Sequence, residues 1–168
     1  MADHFLTKLK VASEDFVEAD GRVVLAQYPA LHALLVERAG PEAAALFAEP
    51  LISHGNDTAP PTVAWYGSQA GEARTLESLP AAERDKAERW LAEHLRPLRA
   101  LAQSPETEEL ALGALTTYGA ADVLVVDGRP VIVNWGLMPD GRGANATARP
   151  AHYAAALGRF LPLEASTG

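Results

Sequence analysis

Residues 122–135 read Asp122-Val123-Leu124-Val125-Val126-Asp127-Gly128-Arg129-Pro130-Val131-Ile132-Val133-Asn134-Trp135. Two β-rich apolar runs flank an Asp-Gly pair, and a two-residue hairpin turn favours that pair because both of its positions take positive φ. The spacing predicts an antiparallel hairpin. Both runs are almost continuously apolar, which predicts burial on both faces. Pro130 cannot donate to a ladder, so it belongs at the first position of its strand or on a sheet edge.

Outward from this hairpin the same signals recur in weaker form. Ala19-Asp20-Gly21 is a turn before Arg22-Val23-Val24-Leu25-Ala26, with Phe16 and Val17 as the partner strand. Thr62-Val63-Ala64-Trp65-Tyr66 reads as a strand, and Arg74-Thr75-Leu76 as its return across the turn at Gly67 to Gly71. Residues 53–61 hold the densest cluster of loop formers. Helices are predicted from Pro29 to Gly40, bracketed by proline and glycine, from Pro41 to Phe47, and from Glu106 to Thr117. The strongest helical pattern covers 80–103, where Trp90, Leu91, Leu95, Leu98 and Ala102 recur at helical spacing. Pro97 predicts a kink or break within it. A last helix is predicted from Pro150 to Leu161. The expected fold class is α+β. Hairpins near 14–26, 62–77 and 121–135 would build one small antiparallel sheet, packed against the long helix and the C-terminal helix. Residues 1–161 would form a single domain, and 162–168 a disordered tail or the start of a linker.

Composition narrows the chemistry. The chain has 168 residues, 48% of them hydrophobic and 21% charged, an ordinary globular balance. It has no cysteine, which excludes disulfides, thiolate metal sites and a cysteine nucleophile. The formal net charge is −8, and no window clusters basic residues with aromatics, so nucleic acid is not an expected partner. No run approaches the ~18 apolar residues that a membrane span needs, so direct membrane insertion is not expected. The opening residues, Met1 to Lys10, lack the apolar core of a signal peptide. The expectation is a soluble cytoplasmic domain.

The hairpin is similar to a segment of the aminoglycoside phosphotransferase and choline kinase family, where N-V-L-V-D-x-G-x-P-x-x-x-I-D-W runs through a metal-binding carboxylate. About 15 residues carry the resemblance, and it implies phosphoryl transfer. Where that family places the metal-binding Asp, this chain has Asn134, a poor magnesium ligand. Where the family has a His-Gly-Asp catalytic loop, this chain has Thr116-Thr117-Tyr118-Gly119. Phosphoryl transfer needs both the base and the metal carboxylates, so a degenerate kinase-like protein ranks behind the readings below.

Two constellations remain. His54-Gly55-Asn56-Asp57-Thr58 sets an imidazole and a carboxylate on one loop, so His54 and Asp57 are the candidate acid–base pair of a hydrolase-like enzyme. The competing explanation is that these are turn formers bonding to nearby backbone amides. The five histidines show no close pairing of the kind that holds a metal, so no metal and no cofactor are expected. The other signal is aromatic. Trp65 and Tyr66 are adjacent in a strand and point to opposite faces, so one is core and the other faces solvent or a partner. Trp135 leaves the hairpin into a Gly- and Pro-rich loop, beside Asn134. Trp65, Tyr66, Asn134 and Trp135 are therefore the candidate binding residues, against the alternative that every tryptophan is core. The function expected is a non-catalytic protein-interaction or assembly domain, a module of a larger bacterial-type complex. Its partner would be a protein, with homo-oligomerisation left open. A small-molecule site between the sheet and the 80–103 helix, near Trp65 and Trp135, is the alternative.

Overall fold

The computed structural model describes residues 4–138 apart from 20, 54–59, 69 and 119–121. Its strands are β1 (His4–Lys10), β2 (Glu18–Ala19), β3 (Arg22–Val23), β4 (Glu49–Ser53), β5 (Thr62–Gly67), β6 (Ala73–Thr75), β7 (Val123–Val126) and β8 (Arg129–Ile132). Its helices are α1 (Tyr28–Arg38), α2 (Pro41–Ala45), α3 (Ala81–Leu95), α4 (Leu98–Gln103) and α5 (Glu108–Ala114). The chain is α+β. None of these helices is long and apolar enough to cross a membrane.

The hairpin forms as its sequence demands. Asp127 and Gly128 take φ of 51° and 79°, the two positive values of a type I′ turn, and Val126 faces Arg129 across it. Pro130 pairs with Val125 on β8, which lies at one edge of the antiparallel sheet β6-β7-β8. Pro97 ends α3 two residues earlier at Leu95, and α4 starts just after it. A proline there removes one helical hydrogen bond and crowds the preceding turn. Ala87, Leu91 and Leu95 put α3's buried stripe on one side, and Leu98, Leu101 and Ala102 continue the core from α4.

One expectation needs correction. The hairpins do not merge into a single sheet: β1-β5-β4, β2-β3 and β6-β7-β8 are separate. The return strand after Gly71 exists as β6, but it pairs with β7 rather than with β5. The reason is geometric. A strand has two edges, and β5 has given one to β1 and the other to β4, both antiparallel. β1 and β4 were not read as strands from sequence. Among the described residues one bridge joins the segment leading into β4 to β8, with Phe47 beside Ile132 and the Ala48 N–H donating to the Ile132 carbonyl at 3.0 Å. The expected C-terminal helix over 150–161 and the tail at 162–168 lie outside the described residues.

Candidate functional site

The two tryptophans expected at a binding surface are core instead. Trp65 and Trp135 both have 0% exposure and lie 5.7 Å apart, centroid to centroid. Trp65 is the inward residue of β5, and pleating carries its neighbour Tyr66 to the other face, where it is half-buried. Trp135 also meets Phe47 edge-on at 5.8 Å and Tyr28 of α1 at 6.0 Å. Its indole N–H donates to the Ala48 carbonyl at 2.8 Å, so the one polar atom of the ring is satisfied inside the fold. The loop after Trp135 does not draw the ring outward, because the residues that follow turn back into the core: Leu137 is fully buried. Neither indole has surface to offer a partner.

Asn134 lies just beyond β8, with φ of 56°, a left-handed conformation that asparagine tolerates better than most residues. Its Nδ2 donates to Asp122 Oδ1 at 2.8 Å, and its carbonyl accepts the Tyr118 N–H at 3.0 Å. It thus clasps the open end of the hairpin to the segment after α5. A metal-binding aspartate at this place would repel Asp122; the amide bonds to it. Among the described residues no group of acidic and histidine side chains could hold a metal. His54 and Asp57 lie outside the described residues.

A second polar contact adjoins the first. Tyr118 donates its hydroxyl proton to Asp15 Oδ2 at 2.5 Å, across 103 residues of chain. That bond, with desolvation and the charges of Asp15 and Glu14, pushes the phenol up to about 12. Tyr28 is also pushed up to about 12, chiefly by burial and then by the charge of Glu49. Both phenols keep their protons through neutral pH, so neither is placed to act as a base. Sequence reading missed Asp15 and Tyr118 because nothing local connects them.

The outer face of β1-β5-β4 is different in kind. Register sets Phe5 opposite Tyr66, Lys8 opposite Ala64, and Leu51 on the far side of Ala64. Alternation turns all of these away from Trp65. Phe5 is 60% exposed and Leu51 56%. Both are large apolar side chains, and between them on the middle strand lie only Ala64 and Tyr66, the latter in edge contact with Phe5 at 5.8 Å. Exposed Lys8 and Lys10 line the β1 side. Phe5 and Leu51 escaped notice in the sequence because their strands were not recognised. The residues Phe5-Leu6-Thr7-Lys8-Leu9-Lys10 do not alternate cleanly, since a register shift between Phe5 and Thr7 breaks the period of two.

A third feature centres on Trp90 of α3. The Arg129 guanidinium stands 4.6 Å from the centre of its ring, and His94 stacks on it at 4.2 Å. The His94 Nδ1 also lies 2.8 Å from the Trp90 carbonyl. A groove lined by Arg74, Glu83, Lys86, Trp90, Asp127 and Arg129 runs beside this stack. A second pocket that also touches Trp90, walled by Leu6, Gly67 and Val131, has a volume of about 30 Å³, room for a water or two and no metabolite. No protein-family model, curated protein or solved structure matches the chain.

Proposed function

We propose that this chain is a non-catalytic protein-interaction module that docks its partner on the outer face of β1-β5-β4. One observation carries the reading: Phe5 and Leu51, each more than half exposed, stand on the same face of one sheet. Single exposed apolar residues are ordinary on a protein surface, but two large ones set diagonally on one sheet face, with Tyr66 and Ala64 on the strand between them, resemble the centre of an interface. Tyr66 belongs to this surface, and Trp65 and Trp135 support it from beneath. The expected partner remains a protein, in an assembly of larger scale.

The test is a pull-down from the native host's lysate with the whole chain as bait, beside a Phe5→Ser/Leu51→Ser double variant and Tyr66→Ala. A stoichiometric partner that the double variant loses, while its circular dichroism matches the parent's, supports the reading. A partner retained by both variants places docking elsewhere and defeats it.

The Trp90–Arg129 contact favours a second reading, a small-molecule site in the groove along α3 rather than near the two buried tryptophans. Displacement of the guanidinium from the indole would change tryptophan emission. A flat response to a metabolite library, in a protein whose Arg129→Ala variant does shift emission, counts against it.

A further inference from the structure

The outer face of β1-β5-β4 also says what would cover it. β1 and β4 lie two strand spacings apart, about 10 Å, which is about the diameter of one α-helix with its side chains. Phe5 and Leu51 rise from those two outer strands, and small Ala64 sits on the strand between them. The result is a shallow trough over Ala64, crossed diagonally by the apolar residues: Phe5 and Tyr66 stand at one end and Leu51 at the other, with Lys8 next to Phe5 on the β1 rim and Glu49 next to Leu51 on the β4 rim. Charge adds direction. Lys8 and Lys10 stand on the β1 side, Glu49 is the one acid that the three strands place on this face among the described residues, and the chain as a whole carries −8. A cationic spot favours an acidic segment and disfavours isologous pairing of this face with itself.

We infer that this trough receives a single amphipathic helix of a protein partner, its apolar stripe seated between Phe5 and Leu51 over Ala64, and its acidic flank turned toward Lys8 and Lys10. Two other occupants fit less well. An extended strand added along β1, an edge strand of this sheet among the described residues, would leave Leu51, two strands away, uncovered. Edge-to-edge pairing of β1 with a second copy would bring the lysines of both copies into one ladder, the arrangement by which edge strands are guarded against self-association. The inference rests on the interaction reading above and adds the partner's shape and charge.

The probe is a stapled amphipathic helix of about 14 residues, ~21 Å long at 1.5 Å per residue, with leucines on one face and glutamates flanking them. Its control carries lysines in place of the glutamates. The expected result is binding of the acidic helix to the full chain, with amide signals of Phe5, Leu51, Ala64 and Tyr66 shifting together. The basic helix binds roughly tenfold more weakly, the scale that a few exposed charge pairs produce, and Lys8→Glu/Lys10→Glu reverses the order. Equal binding of both helices, or shifts confined to other residues, overturns the inference. So does light scattering that reads a dimer dissolved by Phe5→Ser. If the lysate partner depends on Phe5 and Leu51 but survives Lys8→Glu/Lys10→Glu, the interaction module stands and the acidic helix falls. If neither a partner nor either helix responds to Phe5 and Leu51, both fall.

Discussion

Trp135 joins three other parts of the chain: its ring packs on Trp65 of β5, on Tyr28 of α1 and on Phe47, and its indole N–H binds the carbonyl of Ala48, the residue after Phe47. Replacing it with alanine removes the ring and leaves the Ala48 carbonyl unpaired. The expected cost is about 3–5 kcal/mol, read from urea unfolding, which makes Trp135→Ala a test of the core and not of a docking surface. Gly113 of α5 tells a similar story at smaller scale. A Cβ there would lie 2.6 Å from Cγ2 of Val24, a fully buried β-branched side chain with little freedom to move. Alanine ordinarily strengthens a helix relative to glycine by about 1 kcal/mol. Here the clash outweighs that gain, and Gly113→Ala is expected to lower stability by about 1–2 kcal/mol in the same assay.

At the scale of elements, the β7–β8 hairpin offers a contrast. Gly128 sits at φ 79° with nothing within 4 Å of where a Cβ would point. Gly128→Ala therefore meets only backbone strain, at about 1–2 kcal/mol, and a Gly128→Asn variant, which tolerates the left-handed region, should recover much of the loss. If alanine costs nothing by thermal unfolding, the type I′ geometry of this turn is wrong. The hairpin was legible because its turn chemistry and its strands are local. The break at Pro97 was legible for the same reason, since a proline's missing N–H acts within one helical turn. β1 and β4 were not, because one carries a register shift and the other, Glu49–Ser53, opens with Glu-Pro and looks like loop. Losing those two strands hid the surface that they frame with β5.

The whole molecule is tied by contacts that no local pattern announces, and the Tyr118–Asp15 bond is the clearest. Tyr118 binds its proton more tightly in the fold, at about 12, than at its ordinary 10.0. A raised value stabilises the fold fully below pH 10.0, and that contribution is lost as pH climbs through about 12. Tyr118→Phe is expected to cost about 1 kcal/mol near neutral pH, the worth of a hydrogen bond on a half-exposed group. The gap between parent and variant should then close across the same alkaline window, measured as urea midpoints against pH. Tyr28 titrates there too, so the variant keeps a residual slope. A gap that stays constant to high pH would show that the phenol's proton is not what the bond contributes.

What the sequence determined by itself was local: the α+β class, the hairpin at 122–135, the helix limits set by prolines and glycines, and the opposite facing of Trp65 and Tyr66. Each follows from interactions within a few residues, where backbone conformation and side-chain period leave few choices. The tertiary structure alone decided which strands share edges, that Trp135 turns inward while Phe5 and Leu51 stay out, and that Asp15 reaches Tyr118. Those outcomes depend on how segments distant in sequence compete for the same strand edges and the same buried volume.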